Sequence, residues 1–393
     1  MNKAILNTVY QDFINKNLNT DIASLLLKKH PGFSLDIKCL IEQIEAKKRC
    51  KNKLSTWFNT ENIYYPNKLN IEQTSSETTA QYKAHLIKGN HLIDLTGGFG
   101  VDAFYFAQSF RHVTHCEINS ELSEVVAHNY KQLGSSNIGC LNVNGIAHLM
   151  DNAEMYDCVY IDPSRRHDTK GKVFFLADCL PNVPEHIDLI FKHTTTVLVK
   201  TSPLLDLTAG LSELKFVKEI HIVAVNNEVK ELLWLLEKDF SGHHSVKTIN
   251  FKQDTAQRFN FTPDVQTQAQ PHLSTPQTYL YEPNAAIMKS GAFDLISQKL
   301  KVSKLHKHSH LYTSDTLVDF PGRRFKIMTV LPYNKKVIKQ QGLDKANITT
   351  RNFPESVQQI RKRFKIKPGG NIYAFFTTDY TNQKCAIICN KIS

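Results

Sequence analysis

The spacing of the hydrophobic residues changes near His91. Before it, the segments "TDIASLLLKK" and "LDIKCLIEQIEAKKRCKNKL" place apolar residues three and four positions apart, which predicts amphipathic helices. After it, short apolar runs such as "HLIDL", "HVTHCEI", "CVYID" and "TVLVKT" alternate with helical patterns. Strands that alternate with helices are typical of an α/β fold with a doubly wound, parallel sheet.

Capping residues indicate where particular helices begin and end. The segment from Ser76 to Thr79 is a typical helix start, and Asn119 and Ser120 precede the helical pattern "ELSEVVAHNYKQLG", which Gly134 ends. Near the C-terminus, "PESVQQIRKRFKI" predicts one more helix, with Pro354 in its first turn.

A chain of 393 residues is too long for one compact core, so we expect several domains. We predict an N-terminal helical region, an α/β domain, a polar connection with room for a strand or two, and a smaller basic α+β part. Their boundaries are residues 1–85, 86–240, 241–278 and 279–393.

The net charge of +11 favours a polyanionic partner. No basic amphipathic helix stands out, so nucleic acid is favoured over a membrane surface. Lys and Arg far outnumber Asp and Glu after residue 279. Some of these cations stabilise a helix C-terminus, and the others are candidates for phosphate contacts. The candidates in this part are Arg323, Arg324, Arg351, Arg361, Lys362 and Arg363.

The cysteine and histidine patterns bear on location and metals. Eight cysteines are scattered without a CxxC pair, and several lie in apolar runs, which favours a reducing compartment. The first residues lack the apolar stretch of a signal peptide, and no run is long enough to span a bilayer, so we expect a cytoplasmic protein. The histidines of "LHKHSHLY" are predicted to lie on a solvated or RNA-facing strand. A metal site is the alternative there, but no clear fourth ligand is nearby, and we expect no metal.

The stretch "LIDLTGGFGVDAFYFA" predicts a strand, a glycine turn and a helix. Gly98 and Gly100 allow a ligand to approach the backbone closely, and Glu117 ends the next strand, where a carboxylate can bind ribose hydroxyls. A nicotinamide dinucleotide and S-adenosylmethionine both fit this pattern. Asp94 favours the second, because a carboxylate suits a cationic aminoacyl tail and repels a pyrophosphate. A tight turn without a ligand is the alternative.

A second motif, Asp162-Pro163-Ser164, ends the strand "CVYI". Proline fixes the backbone, so carbonyls and a carboxylate point into the cleft, where they can bind an amino group or ring nitrogen that is to be methylated. Arg165 and Arg166 follow, and a guanidinium suits a phosphate or the face of a base. A solvated, charged turn is the alternative.

These motifs resemble those of class I S-adenosylmethionine-dependent methyltransferases, and particularly enzymes with a D-P-P-aromatic motif, such as trimethylguanosine synthases. The whole chain also resembles a bacterial group of predicted RNA methyltransferases with a C-terminal THUMP-like domain, here about residues 325–393. The segments that match are "SSETTAQYKAHL", "LIDLTGGFGVD", "YIDPSRR", "NNEVKELLWLLE" and "ANITTRNFPESVQQIRKRFKIKPGGNIYAFFTT". The resemblance implies a Rossmann-like methyltransferase sheet, S-adenosyl-L-methionine as cofactor and RNA as substrate.

The resemblance also implies roles for particular residues. Asp94, Thr96, Gly98 and Gly100 would line the methionine end of the cofactor. Glu117 would bind its ribose. Asn144 would face the adenine.

At the acceptor end, the resemblance implies that Asp162 and Pro163 would hold the group that is to be methylated. Ser164 and Arg165 complete the candidate catalytic segment, and Arg166 is a further RNA-binding candidate.

Three positions depart from the usual pattern. Thr96 stands where a small glycine is common, and Asn144 replaces the commoner Asp, although its amide oxygen can still accept from the adenine amino group. Ser164 and Arg165 replace Pro and an aromatic residue. The motif is also similar to the D-P-P-R of pyrimidine C5 methyltransferases, which need a nucleophilic cysteine after the next strand.

That next strand, "TVLVKTSP", offers Lys200, Thr201 and Ser202 but no cysteine, and we assign Cys179 to the core of a helix. The sequence therefore favours transfer to a base nitrogen of RNA over covalent C5 chemistry. In this hypothesis Asp162 orients the acceptor and takes its proton through water.

Two hypotheses from other classes stay open. One is a non-catalytic RNA-binding scaffold with a decayed methyltransferase core, which the departures at Thr96, Asn144 and Ser164 favour. The other is a nicotinamide oxidoreductase, which Asp94 and the Asp162 motif disfavour. The oligomeric state does not follow from the sequence.

Overall fold

The computed structural model describes residues 1–28, 32–165, 175–253 and 255–392. The chain divides into two compact units: Met1–Val217 with Trp234–Ser241, and Lys218–Leu233 with Gly242–Ser393. The RNA-binding candidate Arg166 lies outside the described residues.

The first unit begins with helices that share an apolar core. Leu40, Ile41 and Ile44 of the long helix α3 are buried together with Tyr10 and Ile14 of α1, because the apolar residues recur on one helical face. The bounds are α1 Thr8–Lys16, α2 Ile22–Leu27, α3 Ile37–Lys53, α4 Ser55–Asn59, α5 Lys68–Gln73 and α6 Glu77–Ala84. Helix α6 starts as predicted, since the Ser76 side chain accepts from the backbone N–H of Thr79.

A sheet with five parallel strands and one end of a sixth strand forms the centre of the first unit. Its strands are β1 Gly89–Asp94, β2 Phe110–Cys116, β3 Ile138–Leu141, β4 Cys158–Ile161, β7 Thr196–Thr201 and the end of β9 Glu228–Glu237. They lie in the order β9, β7, β4, β1, β2, β3. All neighbours from β7 to β3 pair in parallel. The predicted α/β class is therefore confirmed.

Helices connect the strands of this sheet. They are α7 Val101–Phe106, α8 Ser120–Gln132, α9 Gly145–Asp151, α10 Val183–His193 and α11 Leu207–Glu213. Helix α8 follows the prediction: the Asn119 side chain caps it, and Gly134 follows its end with a φ of 73°.

A small antiparallel pair follows β4. Strand β5 (Ser164–Arg165) pairs with strand β6 (Cys179–Leu180). The prediction that Cys179 lies in a helix is therefore wrong. Its side chain is nevertheless fully buried, and burial raises the pKa of similar thiols in this unit, such as Cys116, to about 12. An apolar run as short as "FFLADCLP" does not distinguish a helix from a buried strand.

The second unit contains one group of strands that includes β9 and a separate seven-stranded sheet. In the first group, β8 Val217–Val225, β10 Ser245–Lys252 and β11 Thr255–Phe261 lie in the order β11, β10, β8, β9. Helix α12 (Pro263–Thr267) follows β11. The stretch 241–278, expected as a connection, therefore contains strands β10 and β11 and the short helix α12.

The seven-stranded sheet has the order β13, β14, β12, β15, β18, β17, β16. Its strands are β12 Tyr279–Pro283, β13 Ser303–Lys304, β14 Tyr312–Ser314, β15 Gly322–Pro332, β16 Asn347–Arg351, β17 Ile372–Thr378 and β18 Lys384–Ile392. Its helices are α13 Ala285–Ser290, α14 Phe293–Leu300, α15 Lys335–Gln340 and α16 Val357–Phe364. Phe325, Phe375 and Ile387 are fully buried between these elements.

Two details of this unit differ from the sequence predictions. Helix α16 begins at Val357 rather than near Pro354, because the Ser356 side chain and Gln359 form a capping box. The segment "LHKHSHLY" forms a turn between β13 and β14 instead of a strand, with His306 buried. In the described part of the chain, no helix has the length and apolar character that a membrane crossing requires.

Candidate functional site

The two sequence motifs meet at the carboxyl ends of neighbouring strands. Strands β1 and β4 are parallel partners, with Asp94 opposite Tyr160. Beyond the strand ends, the backbone N–H of Asp162 donates to the Thr96 hydroxyl over 2.7 Å. Thr96, which looked like a departure from the usual glycine, therefore joins the glycine turn to the acceptor motif.

The turn after β1 has the tight backbone that its glycines predicted. Gly98 and Gly100 have φ angles of 55° and 77°, which favour glycine. A Cβ on Gly98 would meet nothing closer than the Thr96 carbonyl at 3.8 Å, so space is open above it. A Cβ on Gly97 would overlap the imidazole of His115, which is fully buried and whose pKa burial lowers to about 4.

Gly100→Ala tests this packing. We expect it to destabilise the protein by about 1–3 kcal/mol, as overpacked cores do, because the new Cβ would overlap the Tyr130 hydroxyl. Gly134→Ala is the control, because Gly134 has a similar φ of 73° and nothing within 4 Å of its Cβ position. Urea unfolding measures both free energies, and equal losses would contradict the packing of Tyr130 under the turn.

Asp94 is a buried carboxylate that no ion pair of the described residues involves. One of its oxygens accepts from the backbone N–H of Thr96 at 2.9 Å. Burial and the nearby charges of Asp102 and Asp162 raise the pKa of Asp94 well above 3.8. A buried carboxylate in this position is electrostatically suited to a cationic group of a ligand.

Asp102, in contrast, forms an ion pair with a buried lysine. Lys83 of α6 lies 3.2 Å from it, and both side chains are buried. Ser75 and Tyr160 each donate a hydrogen bond of 2.8 Å to Asp102 Oδ2. Burial opposes ionisation, but Lys83, Lys200 and these hydrogen bonds together lower the pKa of Asp102. The N-terminal helical region thus contributes to the charges beneath the glycine turn.

Asp162 has a partner that the sequence reasoning missed. The Lys200 ammonium, at the end of β7, donates to Asp162 Oδ2. Lys200 is 11% exposed and Asp162 32% exposed. The signal was present in the sequence: polar residues follow the apolar runs of both β4 and β7, and neighbouring parallel strands bring such ends together.

Glu117 and Asn144 lie at the ends of the strand pair β2 and β3. Glu117 accepts from the backbone N–H groups of Gly98 at 2.9 Å and Asn119 at 2.7 Å, which fixes its carboxylate beside the turn. The Asn144 amide oxygen accepts from Ile146 at 3.0 Å and caps α9. This leaves its NH2 group, rather than the oxygen, as the group available for a ligand.

The rest of the acceptor motif lies at the start of the small antiparallel pair β5–β6. Pro163 is buried and Ser164 exposed. The Ser164 hydroxyl donates to the Leu180 carbonyl at 3.5 Å, and the backbone of Arg165 pairs with Cys179.

The basic candidates of the second unit have several kinds of partners. Arg323 Nε donates to the buried Glu282 carboxylate at 2.6 Å, and Arg351 donates to the other oxygen at 2.8 Å. Arg361 donates to the carbonyls of Ile366 and Ala346. These contacts hold β12, β15, β16 and the end of α16 together.

Of the other three candidates, Arg363 and Lys362 are exposed, whereas Arg324 is half-buried. Arg324 lies 3.7 Å from Asp319, and Arg363 lies 3.0 Å from Glu355.

A solved structure resembles the chain over its full length. It is described as a "putative methyltransferase from Porphyromonas gingivalis W83", with 30% sequence identity and a TM-score of 0.89. The match covers 100% of this chain and 99% of the other. The chain belongs to the same family. Its class I methyltransferase fold and THUMP-like C-terminal part, which the motifs predicted, are confirmed.

Family models and other structures match parts of this family member. A ferredoxin-like domain model matches residues 279–321, and a THUMP domain-like model matches 322–391. An rRNA methylase from Streptococcus thermophilus is 15% identical over 41% of this chain and 94% of its own, with a TM-score of 0.30. A methyltransferase from Geobacter sulfurreducens is 14% identical over 42% and 78%, with a TM-score of 0.31. No curated protein matches the chain.

Proposed function

We propose that the protein is an S-adenosylmethionine-dependent methyltransferase that acts on RNA, at a base nitrogen. The observation that carries this proposal is the hydrogen bond between the Asp162 N–H and the Thr96 hydroxyl. It joins a glycine turn to an Asp-Pro motif at the carboxyl ends of adjacent parallel strands, where ligands of such sheets bind.

The charges beneath the turn fit a cationic cofactor. Among the described residues, Asp94, Asp102 and Asp162 lie near one another, and the lysines paired with this group are Lys83 and Lys200. Lys83 is paired with Asp102 and Lys200 with Asp162, so Asp94 is the carboxylate of this group without an ion pair. S-adenosylmethionine would supply the missing positive charge and the methyl group to be transferred.

The residues around the turn would then hold the rest of the cofactor. The open space above Gly98 admits its methionine end beside Thr96 and Gly100. Glu117 is oriented by two backbone N–H groups and would accept the ribose hydroxyls. Asn144 would contact the adenine with its NH2 group.

The acceptor would lie against Asp162 and Pro163. Asp162 orients the acceptor nitrogen, and Pro163 keeps the preceding backbone extended. The rate gain would come mainly from alignment of the acceptor with the methyl group. Ser164 and Arg165 complete the candidate catalytic segment, and the nitrogen's proton leaves to water.

The basic second unit supports RNA as the substrate. Its THUMP-like part, residues 322–391, contains the six candidates Arg323, Arg324, Arg351, Arg361, Lys362 and Arg363. Because Arg363 and Lys362 are exposed, whereas Arg323, Arg324, Arg351 and Arg361 are half-buried, we assign most of the phosphate contact to the exposed pair. Arg166 is a further candidate. The scattered thiols favour a cytoplasmic location.

Cofactor affinity should depend on pH through Asp94. Its pKa is raised by burial and by neighbouring carboxylates, so Asp94 holds a proton in the free protein at a pH where ordinary aspartate does not. A cationic cofactor favours ionised Asp94 and must expel that proton. We therefore expect affinity to fall as the pH falls through the raised pKa, by up to about tenfold per pH unit.

Calorimetry with S-adenosylmethionine in buffers of different ionisation enthalpy measures both the affinity and the proton release. Asp94→Asn should bind more weakly and lose the proton release. An affinity that stays constant as the pH falls from neutral into the acid range, with no proton released, would contradict the role given to Asp94.

Two experiments test the function itself. Mass spectrometry of nucleosides from cells with and without the gene should show one methylated base that depends on the gene. Calorimetry separates the alternatives: no binding of S-adenosylmethionine would favour a non-catalytic RNA-binding scaffold, and binding of a nicotinamide dinucleotide instead would favour an oxidoreductase.

A further inference from the structure

Lys200 and Asp162 occupy equivalent places on neighbouring strands. Strands β4 and β7 are parallel partners with Ile161 opposite Val199, so Asp162, which follows β4, lies beside Lys200, near the end of β7. The Lys200 ammonium donates to Asp162 Oδ2. An ion pair made by two adjacent strand ends has little freedom to move, because the backbone fixes both of its Cα atoms.

The pair is not an ordinary surface salt bridge. Lys200 is 11% exposed, whereas the surface pair of Lys215 and Asp188 in the same unit is 54% and 73% exposed. Lys200 also acts on the buried Asp102: burial raises the pKa of Asp102, and Lys83 and then Lys200 lower it. Holding a long cationic side chain in this place needs carboxylates on both sides, since a buried ammonium without partners is costly.

Only one carboxylate oxygen of Asp162 is engaged by Lys200. The backbone N–H of the same residue is bound to Thr96 at 2.7 Å. Asp162 is therefore fixed by its backbone on one side and by Oδ2 on the other, and 32% of its side chain stays exposed. Within the described part of the chain, its second oxygen, Oδ1, makes no hydrogen bond, so Oδ1 can accept one from a ligand.

We propose that Lys200 is a positioning residue that holds the Asp162 carboxylate so that Oδ1 accepts an N–H of the amino group to be methylated. This inference rests on the proposed function. The amine nitrogen forms a bond to the methyl carbon as the carbon–sulfur bond breaks, and the N–H proton leaves to water. A fixed carboxylate aligns the nitrogen lone pair with the methyl group, which is the main source of rate in such transfers.

The geometry also restricts the acceptor. A carboxylate oxygen attracts an N–H group and repels the lone pair of a ring nitrogen that carries no hydrogen. The pair therefore favours an exocyclic amino group of a base as the acceptor.

An alternative role for Lys200 is to neutralise the charge of Asp102. The two roles predict different couplings. A residue that acts through Asp162 has no further effect once the carboxylate is gone, whereas a residue that neutralises Asp102 keeps its effect in an Asp162 variant. A double-mutant cycle measures this difference.

The experiment compares the wild-type protein with Lys200→Met, Lys200→Arg, Asp162→Asn and the double variant that combines Lys200→Met with Asp162→Asn. All are full-length proteins. Lys215→Met is the matched control, because Lys215 also pairs with an aspartate but on the surface. The measurements are kcat and KM with an RNA substrate, the dissociation constant of S-adenosylmethionine, and the unfolding midpoint. RNA from cells that lack the gene serves as the substrate.

We expect Lys200→Met to lower kcat by about 100-fold, with little change in KM or in cofactor affinity. Lys200→Arg keeps a cation and should recover a large part of kcat, which also excludes a folding defect as the cause. The double variant should be no slower than Asp162→Asn, and Lys215→Met should match the wild type.

Four outcomes would overturn the inference. Two results would show that Lys200 does not act through Asp162: full kcat in Lys200→Met, or a loss of kcat in the double variant equal to the product of the two single losses. Neither result would affect the proposed function. Loss of cofactor affinity with unchanged kcat would assign Lys200 to Asp102 and the cofactor side. A wild-type protein that methylates no RNA would refute the proposed function and this inference together.

Discussion

Asp162→Asn is expected to lower methyl transfer to RNA by about 100- to 1,000-fold, while S-adenosylmethionine still binds with almost unchanged affinity. The asparagine keeps the size of the side chain and the backbone N–H bond to Thr96. It loses the charge that binds Lys200 and replaces one acceptor oxygen with an NH2 donor. Transfer at saturating cofactor, and calorimetry with the cofactor alone, measure the two effects separately.

Asp188→Asn is the control for this variant. Asp188, in α10, pairs with Lys215 at 2.9 Å on the surface of the same unit, so the change removes an exposed aspartate–lysine pair that no strand end provides. It should leave both measurements unchanged. Wild-type transfer rates in Asp162→Asn would exclude this carboxylate from the acceptor site.

Glu117→Ala is expected to weaken S-adenosylmethionine binding by roughly 100-fold. Hydrogen bonds to a charged group contribute about 1.5–3 kcal/mol each, and about 1.4 kcal/mol corresponds to tenfold in affinity. The carboxylate lies beside the glycine turn, with each oxygen holding one backbone N–H. Calorimetric titration gives the affinity, and transfer at high cofactor concentration should recover part of the rate.

Glu117→Gln is the conservative variant for this test, and Glu121→Ala is its control. The glutamine keeps one acceptor oxygen for the turn, so its affinity should lie between those of the wild type and the alanine variant. Glu121 is an exposed residue in the first turn of α8, and its removal should have little effect. An unchanged affinity in Glu117→Ala would show that the cofactor's ribose lies elsewhere.

The sequence was sufficient to predict that the two motifs lie close together. A parallel sheet puts the carboxyl ends of its strands on one edge, so residues after β1 and β4 had to lie near each other once the strands were identified as neighbours. Asp94 and Asp162 were found in this way. The caps of α6 and α8 were also predictable, because capping depends on residues a few positions apart.

The charges beneath the site were not predictable from the sequence. Lys200 and Asp162 lie 38 residues apart, and Ser75 and Asp102 lie 27 apart. Such contacts depend on how strands and helices pack in three dimensions, which no local pattern records. The same is true of Glu282, which binds Arg351 from 69 residues away and so changes how the basic candidates are interpreted.

The local errors have local physical causes. Cys179 lies in a short strand because a brief apolar run fits a helix and a strand equally well. Helix α16 starts at Val357 because the capping box of Ser356 and Gln359 outweighs the preference of Pro354 for a first turn. In "LHKHSHLY", alternating histidines suggested a strand, but a turn formed in which the backbone N–H of His308 donates to the His306 ring.

The most direct test of the account uses S-adenosylmethionine with a labelled methyl group, the purified full-length protein, and RNA from cells that lack the gene. After digestion, mass spectrometry locates the label among the nucleosides. The account predicts one base labelled on nitrogen with the wild type and almost none with Asp162→Asn. An RNA without label, or equal labelling by both proteins, would contradict it.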